Sequence, residues 1–250
     1  MKNSLRIFSL NTEYGKYGKT FLPYIASIAH EVDVFCFQEV PNMARDTTCF
    51  EEWYAPNFYS TIEQVLTEFT WYYCEFVKDS FGIATFVRKE LKQKYRWESY
   101  IFGNSDKTFL DKGKTNNSTK CMVIQVQGID IMNLHGAWQP KSKKQDTPER
   151  LLQSKIIKKL TQWREAKTVL IGDFNLMPDT KSVKMLEKKY KNLITKFGIP
   201  CTRTAVYDDV SLPFADYVFI GKNLELIDFS VSLEPVFSDH GFMRLEISKK

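Results

Sequence analysis

Seven residues, Val169-Leu170-Ile171-Gly172-Asp173-Phe174-Asn175, limit what this chain can fold into more than any other stretch. An apolar run that stops at a glycine reads as a buried strand with an abrupt end. Side chains two apart on extended backbone point the same way, so Asp173 and Asn175 project together from the strand's C-terminal edge. In α/β sheets that edge is where ligands bind. Pro178 and Asp179 then turn the chain, and a helix begins near Thr180. The competing reading is a surface turn in which Asp and Asn serve only as turn formers.

The same pattern recurs. Apolar runs also end at Asn11, at Gln38-Glu39 and at His135. Ser238-Asp239-His240 precedes its run rather than following it, and Asp216 stands at the start of another. If two sheets face each other, these ends meet in one cleft. Hard oxygen donors of this kind suit magnesium or manganese, and the lack of sulfur donors argues against a zinc finger. Of the three histidines, His30 sits at a helix C-terminus, where a cation favours the helix dipole. His135 and His240 lie beside glycines at strand ends, as acid–base groups or as satisfied buried imidazoles.

Periodicity places the remaining elements. Residues 5–10 form a strand, 21–32 a helix and 34–37 a short buried strand, together one right-handed crossover. Residues 61–69 read as a helix, 71–76 and 83–87 as strands joined by a turn near 79–82, and 97–102 as a further strand. The polar stretch 104–120 reads as a long loop. Gln127-Gly128 joins strands 121–126 and 129–134 as a hairpin. Thr147 caps a helix that starts at Pro148 and runs to about 164, with Leu151, Leu152, Ile156, Ile157 and Leu160 inward. Residues 181–190 form a helix, and 216–220 and 241–247 the last strands. Strands and helices mix throughout, and neighbouring strands are often adjacent in sequence. This predicts two sheets with helices outside rather than one parallel sheet. No repeat or composition break interrupts the 250 residues, so a single domain over 1–250 is expected.

A net charge of +5 admits an anionic substrate without demanding nucleic acid. Lys141, Lys143 and Lys144 follow His135 closely, either as contacts to backbone phosphates or as an ordinary solvated loop. The five cysteines are odd in number and form no C-x-x-C pair, which reads as reduced thiols in a cytoplasmic protein. Residues 1–6 lack the apolar stretch of a signal peptide, and no run is long enough to span a membrane. A monomer without membrane contact is expected.

Six short motifs, in order, resemble the endonuclease/exonuclease/phosphatase superfamily: Ser9-Leu10-Asn11-Thr12, the 33–40 run ending in Gln38-Glu39-Val40, Asn133-Leu134-His135, Gly172-Asp173-Phe174-Asn175, Asp216-Tyr217-Val218-Phe219 and Ser238-Asp239-His240. The resemblance implies a four-layer α/β/β/α sandwich of two mixed sheets and a metal-dependent phosphoric ester hydrolase. It implies that Glu39 binds Mg2+ or Mn2+, with Asn11 beside it and Asp239 near or on the ion. Asp173 would orient or deprotonate the attacking water, with Asn175 holding that water or the phosphate. His240, paired with Asp216, would face the phosphate, and His135 would be a second phosphate contact. The family often carries an arginine two residues before the Asp216 position; Pro213-Phe214-Ala215 stands there instead, and Arg203 is the substitute candidate. The favoured substrate is nucleic acid, cut by endo- or exonuclease action. The alternatives are a small metabolite or lipid headgroup such as an inositol phosphate, and a catalytically inactive binding module.

Overall fold

The structure is a computed structural model that describes residues 4–43, 55–77, 80–102 and 119–250. The first sheet begins with strand β1 (Ser4–Asn11), helix α1 (Gly18–Ile28) and strand β2 (Val34–Pro41). Helix α2 (Phe58–Val65) leads to β3 (Phe69–Val77) and β4 (Phe81–Arg88). The second sheet takes β5 (Gln93–Phe102), β6 (Thr119–Val126) and β7 (Ile129–His135). It continues through helix α3 (Pro148–Thr161), β8 (Thr168–Asp173), helix α4 (Lys181–Glu187), the short β9 (Lys191–Asn192), helix α5 (Leu193–Lys196) and β10 (Asp216–Ile220). The chain then returns to the first sheet as β11 (Leu224–Ser232) and β12 (Phe242–Lys249).

Among the described residues each sheet has six strands, ordered β11-β12-β1-β2-β4-β3 and β5-β6-β7-β8-β10-β9. Both are mixed. β1 runs parallel to β2, and β7 to β8, each through a helical crossover; their other neighbours are antiparallel. This is the expected α/β sandwich of two mixed sheets.

Alternation along β1 and β2 explains how the layers assemble. Leu5, Ile7, Val34 and Cys36 point into the core between the sheets. Phe8, Leu10, Phe35 and Phe37 point the other way, under α1 and α2, and join Phe21, Ile25 and Ile62 in a second core. A strand buried on both faces needs an unbroken apolar sequence. One polar device crosses between the sheets. Gln38 Nε2 donates to Asn133 Oδ1 at 2.7 Å, and Asn133 Nδ2 donates to the Ala84 carbonyl at 2.9 Å. A buried amide pair hydrogen-bonded in this way favours one mutual register of the layers.

Several boundaries differ from those predicted. The helix expected over 61–69 is Phe58–Val65, because Phe69 already pairs with Arg88 in the sheet. The first helix stops at Ile28, followed by a 3-10 turn over Ala29–Glu31. α4 ends at Glu187, and β9, α5 and β11 were not foreseen. Leu152 is half exposed rather than inward; the buried face of α3 is carried by Arg150, Gln153, Ser154, Ile157 and Thr161. Most of the stretch 104–120, and residue 79 of the turn near 79–82, lie outside the described residues. Cys36, Cys74 and Cys121 are buried free thiols. No described helix is long and apolar enough to cross a membrane.

Candidate functional site

Strand register assembles the site. In the second sheet His135, Asp173 and Asp216 stand side by side: β7 pairs His135 with Asp173, and β10 pairs Asp216 with Asp173. In the first sheet β1 pairs Asn11 with Gln38, so Glu39 follows at the same edge. β12 runs antiparallel to β1, which brings the residues before it, Asp239 and His240, to the edge where β1 ends. That is why this motif precedes its strand while the others follow theirs. Two glycines permit the close approach. A Cβ on Gly172, whose φ is +135°, would lie 2.2 Å from the Leu134 carbonyl oxygen, and one on Gly136 would lie 2.3 Å from that of Phe174.

The Asp173 carboxylate is the hub. Its Oδ2 accepts hydrogen bonds from Asn11 Nδ2 at 3.1 Å and Asn175 Nδ2 at 3.2 Å. Its Oδ1 accepts from the Asn175 backbone N–H at 2.7 Å. Nε2 of His135 and Nε2 of His240 each lie 3.7 Å from Asp173 Oδ2. His135 Nε2 is also 3.0 Å from Glu39 Oε1. Asn175 Oδ1, buried, has no hydrogen-bond partner, an acceptor placed for a donor that enters the site. Glu39 and Asn175 hold left-handed backbone, with φ of +52° and +54°. Such strain persists only where the surroundings enforce it.

Nδ1 of His240 lies 2.8 Å from Asp216 Oδ2. Burial raises the Asp216 carboxyl to about 7 and lowers the His240 imidazole to about 3. The two groups share one hydrogen bond, so the proton between them titrates as a property of the pair. Burial also works against a charge on His135, but the Glu39 hydrogen bond and the Asp173 charge outweigh it and raise its pKa.

A cationic wall faces these acids. Arg203 pairs with Asp239, and a backbone bridge joins Arg203 to His240. Its guanidinium stands 4.1 Å from the centre of the Tyr207 ring. Lys144 lies 4.7 Å from the same ring centre and donates to the Phe214 carbonyl at 3.0 Å. Lys144 is therefore not a solvated loop lysine: it is 6% exposed, and burial followed by the Arg203 charge lowers its pKa to about 8. Lys141 and Lys143 are exposed and do not line the cavity.

A model described as the Endonuclease/Exonuclease/phosphatase family matches residues 9–240. The chain belongs to that family. No curated protein sequence matches it significantly. An endonuclease/exonuclease/phosphatase from Bacteroides vulgatus superposes with a TM-score of 0.70 at 16% identity, covering 100% of both chains. TDP2 of D. rerio, complexed with single strand DNA product, gives 0.67 at 14% identity over 99% of this chain and 100% of that one. The catalytic domain of human Nocturnin with bound sulfate anion gives 0.66 at 16% identity over 100% and 96%. At such identities the likeness is one of fold.

Family members are metal-dependent phosphoric ester hydrolases, and the residues here fit a divalent cation. Donor atoms of Glu39, His135 and Asp173 all lie within 4.8 Å of one another. The Glu39 and Asp173 carboxylates are the hard oxygen donors that such a cation takes, with the His135 imidazole beside them. Of the three expected metal residues, Glu39 is in this group. Asn11 donates to Asp173 and accepts from the Glu13 N–H, and Asp239 pairs with Arg203 while its Oδ1 lies 3.5 Å from His240 Nε2. Donor atoms of a second group, Asp173, Asp216 and His240, also lie within 4.8 Å of one another.

Glu13 was missed. Its carboxylate lines the cavity, accepts from the Asp239 N–H at 3.0 Å and takes Lys16 at 2.7 Å; burial raises its pKa. No strand pattern signals it, because β1 ends at Asn11 and Glu13 opens a 3-10 turn in left-handed backbone, with φ of +44°.

Proposed function

We propose that this protein hydrolyses phosphodiester bonds in nucleic acid with the help of a divalent cation, magnesium or manganese. One observation carries the reading: a single carboxylate, Asp173, is held by two amides and approached by two imidazoles beside Glu39. Hydrolysis at phosphorus needs a water stripped of its proton, relief of the charge on the non-bridging oxygens, and a proton for the leaving oxygen. A cation held at Glu39 would supply Lewis-acid relief of that charge.

The chain's own groups do the rest. Asp173, fixed in orientation by Asn11 and Asn175, accepts the water's proton. The free Oδ1 of Asn175 holds the same water through its second hydrogen. His240 presents Nε2 to the phosphate while Asp216 fixes its other nitrogen, and His135 makes a second contact. Arg203 takes the place of the family's missing arginine and meets the phosphate once it leaves Asp239. Water's oxygen joins phosphorus, the bond to the leaving oxygen breaks, and that oxygen takes a proton from the His240–Asp216 pair. No enzyme–substrate covalent bond is formed.

The test is a substrate panel of single-stranded DNA, RNA, abasic duplex, nucleotide monoesters and inositol phosphates, each with magnesium, with manganese and with chelator. Cation-dependent cleavage of a nucleic acid is expected. Turnover confined to inositol phosphates, or unaffected by chelation, would overturn the proposal.

A further inference from the structure

Four aromatic side chains line the cavity: Tyr14, Phe81, Trp138 and Tyr207. Three are already engaged. Tyr14 and Phe81 pack edge to face with ring centres 4.9 Å apart. Tyr207 carries the Arg203 and Lys144 cations on its ring. Trp138 is different. It is 47% exposed, and no ring or cation contact is made to its indole among the described residues.

The backbone beneath Trp138 is fixed. Gly136 N–H donates to the Asp173 carbonyl at 2.6 Å, and Ala137 N–H donates to the Gln153 Oε1, itself buried, at 2.8 Å. The indole is therefore carried three residues beyond His135 on a loop tied directly to the Asp173 strand. The cavity has a volume of about 270 Å³. Pockets that enclose a drug-sized ligand run to roughly 300–1,000 Å³. This one is smaller than that range, and Trp138 is the lining aromatic most open to solvent. Beyond it along the chain come the exposed Lys141 and Lys143. A free aromatic face followed by lysines is the chemistry that holds an unpaired base and its backbone.

We infer that Trp138 is a base-stacking subsite that selects single-stranded nucleic acid, or an unpaired end, over duplex and over phosphate esters without a base. The inference rests on the proposed nuclease reading and specifies its substrate. A base inside a duplex already has both faces stacked and gives Trp138 nothing to hold.

Two measurements test it. The first compares two 12-residue single-stranded oligonucleotides, one ordinary and one with every base replaced by hydrogen. Wild-type kcat/KM is expected to favour the base-bearing strand by about tenfold or more, within the range that stacking supports. In Trp138→Ala that ratio is expected to fall below about threefold, through KM rather than kcat, while Trp138→Phe retains most of it. An unchanged ratio in Trp138→Ala, or equal losses on both strands, would overturn the subsite. The second measurement is binding of the ordinary oligonucleotide without turnover, followed by tryptophan fluorescence in chelator. Quenching in wild type that disappears in Trp138→Phe supports the subsite even if no strand is cleaved, in which case the nuclease reading alone fails. Equal quenching in both proteins, or none in either, refutes stacking on Trp138 whatever the catalytic result.

Discussion

Replacing Lys144 by methionine should change the way stability depends on pH, and by an amount the structure sets. The ammonium is buried, and its pKa falls from 10.5 to about 8. A shift of that size corresponds to about 3 kcal/mol of cost for holding the charged form in the native state at pH 7. Between pH 8 and 10.5 the unfolded chain keeps a proton that the native chain has lost, so native stability rises with pH in that window. Between pH 7 and 9.5 the wild type should gain about 2 kcal/mol relative to Lys144→Met. The absolute offset at pH 7 is smaller than 3 kcal/mol, because methionine leaves the Phe214 carbonyl without its donor. The pH slope is untouched by that loss, since the same carbonyl is unpaired at every pH. Urea unfolding of both proteins at half-unit pH intervals gives the difference directly. A wild-type minus variant difference that stays flat from pH 7 to 9.5, or declines, would show that Lys144 is not held in a costly charged state. The nearby Asp173, Asp216 and Asp239 charges offset part of the cost that burial and Arg203 impose on this cation.

Two other substitutions probe the site's construction. Asp216→Asn should leave the fold intact, because burial already disfavours the carboxylate charge, and should lower kcat by roughly 10²–10⁴ by disturbing the proton held with His240; steady-state kinetics showing kcat within threefold of wild type would contradict this. Gly172→Ala should cost about 2 kcal/mol or more in urea unfolding, since a Cβ there meets the Leu134 carbonyl at 2.2 Å on backbone with φ of +135°; an unchanged midpoint would mean that the two site strands separate more easily than their register suggests.

Much of the site is legible in the sequence for one reason. Asn11, Glu39, His135, Asp173 and Asp216 each adjoin an apolar run, and a strand pattern locates its own end. The pairing of His135 and Asp216 with Asp173 is not legible, because lateral register depends on which strands become neighbours. Lys144 illustrates the opposite failure. A lysine between Lys143 and Gln145 has every local mark of a solvated loop, and only the arrival of the Phe214 carbonyl and the Tyr207 ring from elsewhere in the chain buries it. The inward face of α3 was obscured similarly. Arg150 donates to the Ala137 carbonyl and the Gln145 carbonyl, so it is buried to fasten the loop that follows His135. An apolar periodicity cannot reveal an inward face made of Arg150, Gln153 and Ser154.

The convergence of distant strand ends on one cation-holding hollow is tested most directly by calorimetric titration of manganese into the metal-free protein and into Glu39→Gln. The account expects specific, saturable binding to the wild type that weakens at least about tenfold in the variant, with phosphodiester cleavage lost in parallel. Equal manganese affinity in the two proteins would contradict it.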